Sequence, residues 1–304
     1  MTTRGFWRQF ENIDNRVSLV GSSVINRVWY LFPQGGGPRG AFSTFADLSP
    51  NLRNRDTILL SGVLREQVIA PDVYDVTIIG AADDPRQATN SGIPTGGGAS
   101  WLAPASPVAL TPLIRVISQG WNFSNLQMAP VAGAACITFD RRETAAIPDS
   151  SHGSVDNCYF TTGGANGIGI EGIEVKRLRI EDCIFEALTG ATGAGIKTTA
   201  GAGIAAPNHW TIRNNRFVQG VVDINCLSLN FSLLEHNIFF STNPIEAGTR
   251  ITLIGSTGRN RVLDNNFSDV AADVTIAKGY TPAANDVWRN WTSNTNVPIV
   301  TVPS

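Results

Sequence analysis

The chain runs to 304 residues, 42% of them hydrophobic, which is enough to bury a substantial core. Only 16% are charged, and the net charge of −2 gives no electrostatic case for nucleic acid or an anionic membrane. No apolar run reaches the roughly 18–20 residues of a membrane span, so none is expected.

The N-terminus differs from everything after it. Phe6, Phe10, Ile13, Val17, Val20, Val24 and Val28 recur at steps of 4, 3, 4, 3, 4 and 4, one stripe of a helix. Arg4, Arg8, Glu11 and Arg16 fill the other faces, and Gly21-Ser22-Ser23 invites a break. Such a stripe either covers the open end of the next domain or acts as a coiled coil or docking arm on a larger assembly. Asn26 and Arg27 interrupt the apolar stretch and no small-residue cleavage site follows, so no signal peptide is expected. Gln34-Gly35-Gly36-Gly37-Pro38 reads as a hinge, making residues 1–36 an N-terminal helical arm.

Phe42 to Leu48 and Asp56 to Val68 lead into a β-rich region whose first clear core strand is Asp75 to Gly80. Residues 83–112 hold five of the sixteen prolines and little strand alternation, the pattern of a long excursion on which binding often lies. Phe139 to Ser154 is a second excursion, and the glycine-rich stretches Gly163 to Gly167 and Gly190 to Gly203 form a third.

From here a six-residue phrase recurs. It reads Val155-Asp156-Asn157-Cys158-Tyr159-Phe160, then Ile180 to Phe185, Ile212 to Phe217, Leu234 to Phe239 and Val262 to Phe267, after a looser copy at Phe123 to Met128. The grammar is aliphatic, any, Asn/Asp/His, Asn/Cys, any, Phe. The closing residues step by 32, 25, 32, 22 and 28 positions, the irregular period of a β-solenoid. Stacked coils place aliphatics, Asn/Cys and Phe in three internal ladders, with Asn suited to the turn because it tolerates positive φ. Cys158 and Cys183 share a slot that later repeats give to Asn, so they are expected as reduced, buried ladder residues, as in a protein folded in a bacterial cytoplasm. The thirty glycines fit many tight turns. After Asp286 no phrase is evident, and residues 286–304 read as a tail capping the far end.

Asp56 to Pro71 and Asp75 to Ala81, followed by the Ile-x-Asn-Asn-x-Phe phrases, resemble the right-handed parallel β-helix group called pectin-lyase-like, over roughly residues 45–275. The resemblance implies an all-β fold: a single-stranded right-handed parallel β-helix over 37–285, of about eight coils, behind the helical arm. That group includes lyases, hydrolases and non-catalytic phage tailspikes and virion proteins, so it leaves activity open. A helical arm ahead of the β-helix is more similar to a phage virion protein than to a secreted pectinase.

Catalysis on this scaffold needs outward acids, about 5–5.5 Å apart for a retaining hydrolase. The second slot offers Asp156, Glu181, Arg213, Glu235 and Leu263. Glu181, Arg213 and Glu235 stack as acid, base, acid, the reading of a surface salt ladder, with Glu181 and Glu235 as weak catalytic candidates. Asp140 with Glu143 is another pair, beside Arg141 and Arg142, and Glu171 with Glu174 a third. Trp101, Tyr159 and Arg213 are weak candidates for glycan contact. The fifth slot, with Tyr159, Ile184 and Ile238, faces outward and offers either scattered apolar surface or a subunit contact. Neither a metal site nor a cofactor is expected, since no CxxC, His-rich or acid-cluster spacing occurs.

The leading expectation is a phage virion surface protein, a tailspike-like, homotrimeric receptor binder. It would contact host surface polysaccharide and attach to capsid or tail proteins through residues 1–36. A capsid decoration or head spike without a required ligand is the nearest alternative, and a polysaccharide lyase or glycoside hydrolase the other class.

Overall fold

In the computed structural model the described residues are 26–81, 98–140, 152–161, 166–186, 188, 193–199, 207–218, 222–226, 228–240, 250–253, 259–268, 276–278, 285–292 and 300–301. Three parallel sheets wrap the chain: ten strands in sheet A and nine each in sheets B and C. Every coil visits them in the same order. One coil, for instance, runs through Gly153–Asp156 in sheet A, Tyr159–Phe160 in B and Ile168–Ile173 in C, and Leu178–Glu181 returns to A. The protein is a right-handed parallel β-helix.

The phrases stack in register. Val155, Ile180, Ile212, Leu234 and Val262 are successive partners in sheet A, and Phe160, Phe185, Phe217, Phe239 and Phe267 in sheet B. The five Phe rings form a continuous stack inside the coil, with centroids 4.6–4.9 Å apart and planes within 8°. That spacing is the strand spacing itself, so one ring per coil fills the interior without a gap. Glycine makes room for it: a Cβ on Gly195 would lie 2.8 Å from Phe217 Cε1.

In seven successive coils the chain turns between sheets A and B on one left-handed residue. Asn125, Asn157, Asp182, Asn214, His236, Asp264 and Arg289 all have φ between 46° and 57°. The next slot carries the polar ladder. Asn237 Oδ1 accepts the Asn215 backbone N–H and Nδ2–H, both at 3.0 Å, while Asn237 Nδ2 donates to Ile212 O and to Asn265 Oδ1. Asn265 and Asn290 repeat the pattern one coil on. Cys158 and Cys183, both free and buried, continue the ladder in sulfur: Cys183 Sγ donates to Val155 O at 3.6 Å, where the Asn residues use Nδ2.

Three features depart from the sequence reading. Val28 is not helical: Val28–Leu31 is a strand paired with Thr57–Leu60, and Gln34 clamps Val63 through both its backbone groups. The solenoid therefore begins inside the expected arm and hinge, while Phe6, Phe10, Ile13, Val17, Val20 and Val24 lie outside the described residues. Within the proline-rich excursion, Ala99–Leu102 is a sheet B strand paired with Gly62–Arg65. The expected capping tail contributes a further coil, Asn285–Trp288, Trp291–Thr292 and Val300–Thr301, so nine coils form rather than eight. Its phrase, Val287-Trp288-Arg289-Asn290-Trp291-Thr292, keeps the aliphatic, the left-handed turn and the Asn but lacks the closing Phe.

Among the described residues one α-helix, Phe45–Leu48, follows the first strand. Thr44 accepts the Asp47 N–H, and the Glu66 carboxylate accepts the N–H groups of Phe45 and Ala46. Phe45 is buried against the indoles of Trp101 and Trp121.

Candidate functional site

Side chains alternate in and out of each strand, so second-slot residues form a row on the outer face of sheet A. Asp156, Glu181, Arg213 and Glu235 are successive register partners there. Arg213 Nε lies 3.0 Å from Glu181 Oε1, and Arg179 reaches the same oxygen at 4.0 Å. The acid, base, acid ladder thus closes on its first two members, with Arg213 committed to Glu181 rather than to Glu235. Leu263, the next in the row, is only 5% exposed.

The acid that stands out is one the sequence reading left in the background. Asp156 sits across from Glu181 and near Asp182, and its carboxyl is pushed up from the ordinary range by partial burial first, then by those two like charges. Arg179 and a hydrogen bond from Ser124 oppose the shift. Consecutive phrases with acids in one slot were the available signal, since neighbouring coils bring such residues about 4.8 Å apart.

The remaining candidates are not brought together. Asp140 is buried on sheet C and bonded to Arg115, on another side of the coil from Glu181. Glu143 lies outside the described residues. Glu171 pairs with Lys197 at 3.8 Å and accepts a bond from the Thr199 hydroxyl, while Glu174 is buried in a left-handed turn. Trp101 is fully buried, its indole N–H donated to Glu66 O at 2.9 Å, so it is a core residue and cannot stack on a sugar. Tyr159 is half-exposed with its hydroxyl donated to Glu186. The outward fifth slot continues through Ile184, Arg216, Ile238 and the exposed Trp291, with the Arg216 guanidinium over Phe240. Among the described residues no group of three or more His, Cys, Asp or Glu side chains is arranged to hold a metal ion.

No protein-family model matches the chain, and no curated protein does. Solved structures do. A pectin methylesterase from Aspergillus niger aligns over 93% of this chain and 92% of its own, with TM-score 0.41 and 12% identity. The Streptococcus pneumoniae surface adhesin PfbA aligns over 96% and 87%, with TM-score 0.43 and 10% identity. The pectate lyase Pel9A aligns over 91% and 82%, with TM-score 0.37 and 14% identity. The likeness is one of fold alone.

Proposed function

We propose that this protein is a phage virion surface protein that binds host polysaccharide without cleaving it, as a tailspike-like trimer attached through its N-terminal segment. The observation that carries the non-catalytic part is the pairing of Glu181, Glu171 and Asp140 with basic side chains. Glu181 is tied to Arg213 and Arg179, Glu171 to Lys197 and Asp140 to Arg115. On the outer face of sheet A, Asn122, Ser154, Arg179 and Thr211 follow one another at one-coil intervals, suited to hydrogen-bonding an extended glycan. The apolar stripe of residues 6–24 supports the attachment, since each such side chain gains about 1.5–3 kcal/mol on burial and needs a partner.

One observation favours a second reading, a glycoside hydrolase: Asp156 and Glu181 are opposed acids on adjacent coils, and Asp156 is shifted toward holding its proton. Incubation with host capsule or lipopolysaccharide separates the two. Binding without new reducing ends is expected, whereas turnover abolished by Asp156→Asn would overturn the non-catalytic reading. Attachment is tested by deleting residues 1–25, which spares the Val28–Leu31 strand and the Arg27–Asp56 ion pair. The shortened chain is expected to keep its β signal and lose both trimer and particle binding; unchanged assembly and particle binding would refute the arm's role.

A further inference from the structure

The corner where sheet C hands over to sheet A carries a second row of left-handed residues, each two positions ahead of a sheet A register column. Arg55, Asp75, Gly120, Arg177, His209, Phe231 and Arg259 have φ between 51° and 76°, and His152 fills the equivalent place in the fourth coil. Glycine suits this backbone, whereas a bulky side chain such as Phe is held there at a cost.

The two halves of the row differ. In the first, Asp75 faces His152 Nε2 at 3.1 Å and Arg55 Nε at 3.9 Å, so an acid stands beside the basic side chains. In the second, Arg177, His209, Phe231 and Arg259 follow one another over four consecutive coils, all exposed. The backbone fixes them in line, with Arg177 N–H donated to Asn208 O at 2.8 Å and His209 N–H to Asn230 O at 3.0 Å. The His209 and Phe231 rings stack at 5.5 Å and 9°, and the Arg259 guanidinium lies 5.2 Å from the Phe231 ring centre.

Arg179 and Arg261 stand two residues along, on the first outward row of sheet A, and both are exposed. Acids stand beside these two: Glu181 is shared by Arg179 and Arg213, and Asp286 is the register partner of Arg261, whereas Asp182 and Asp264 lie in the turns at the opposite edge of sheet A. A chain of net charge −2 thus places Arg177 and Arg259 at either end of an exposed aromatic stack on one edge.

We propose that this corner binds an acidic polysaccharide laid along the solenoid axis. Arg177 and Arg259 take carboxylates at either end of the His209–Phe231 stack, whose exposed edges cover the apolar faces of the sugars between. Three coil steps span about 14 Å, roughly three sugar residues of an extended chain. Guanidinium groups suit carboxylates because two parallel N–H donors meet two oxygens. The proposal rests on the glycan-binding reading and adds the charge class and the place.

The full chain is titrated with hyaluronan and with carboxyl-reduced hyaluronan at low and high salt. Hyaluronan is expected to bind, with carboxyl reduction, added salt or the Arg177→Ala/Arg259→Ala pair each weakening it about tenfold or more, the scale of lost charge-assisted hydrogen bonds. Phe231→Ala is expected to weaken binding with little effect on stability, and Arg55→Ala to leave it unchanged. Equal affinity for both polymers, insensitive to the arginine pair, overturns the inference while leaving a glycan binder. Failure with hyaluronan but retention of neutral host polysaccharide does the same, and failure with every polysaccharide overturns both. Equal or tighter binding of a single-stranded oligonucleotide or of phosphatidylserine vesicles at the same arginines overturns it in favour of another polyanion.

Discussion

Removing one side chain from the polar ladder should cost far more than its size suggests. Asn237 is fully buried and its amide serves four bonds: it accepts from Asn215 N and Asn215 Nδ2 and donates to Ile212 O and Asn265 Oδ1. Asn237→Ala leaves the Asn215 N–H buried without an acceptor, a loss of about 1–3 kcal/mol, and each further bond removed costs about 0.5–1.5 kcal/mol. The sum is about 2.5–7.5 kcal/mol, equivalent to a fall in Tm on the order of 4–12 °C for a chain of this size. Asn237→Cys is the informative partner, because the fold already uses Cys183 in this slot, with its thiol donated to a carbonyl of the preceding coil. It should recover about half the loss, since a thiol replaces the donor but accepts only weakly. Equilibrium denaturation of both variants, with the exposed turn substitution His236→Asn as reference, gives the comparison. An Asn237→Ala cost below about 1 kcal/mol, or a Cys variant no better than Ala, would refute the idea that the ladder is a stabilising network.

Two further outcomes follow from the interior. Burial pushes the Cys226 thiol up to about 12 and those of Cys136 and Cys183 well above the ordinary 9.0. Native protein should therefore resist iodoacetamide at these sites until it unfolds. Because unfolded thiols ionise near 9.0 and the folded ones do not, stability is intact below that pH and declines as pH rises toward about 12; fast native labelling, or stability flat across this range, would contradict the burial. Gly195→Ala sets a Cβ 2.8 Å from the Phe217 ring and should cost about 1–3 kcal/mol as overpacking. Combined with Phe217→Leu it should cost less than the sum of the two, and strict additivity in denaturation midpoints would show that the ring is not what the glycine accommodates.

The solenoid was legible because its constraints repeat. A left-handed turn residue, a buried amide and a ring at fixed offsets recur whenever coils stack, so Asn214-Asn215-Arg216-Phe217 and Asp264-Asn265-Asn266-Phe267 announce themselves. The ninth coil escaped notice only because Thr292 replaces the Phe while Asn290 keeps the ladder. The outer face was less legible, since solvent tolerates many side chains and no residue type marks a row. Trp101 has the chemistry of a sugar platform, but the packing of Phe45 and the Glu66 carbonyl draws it inside. Asp156 acquires its character from partial burial first and then from Asp182 and Glu181, one coil away. Arg177, His209, Phe231 and Arg259 follow no single residue type and lie ahead of the phrases. What aligns them is the coil-to-coil register, a property of the stacked chain that no short segment carries. The sequence alone thus determined the repeating interior, where every coil must satisfy the same hydrogen bonds and volume. The tertiary structure decided which outward side chains become neighbours, because loops of unequal length separate them in the chain while the strand spacing brings them together.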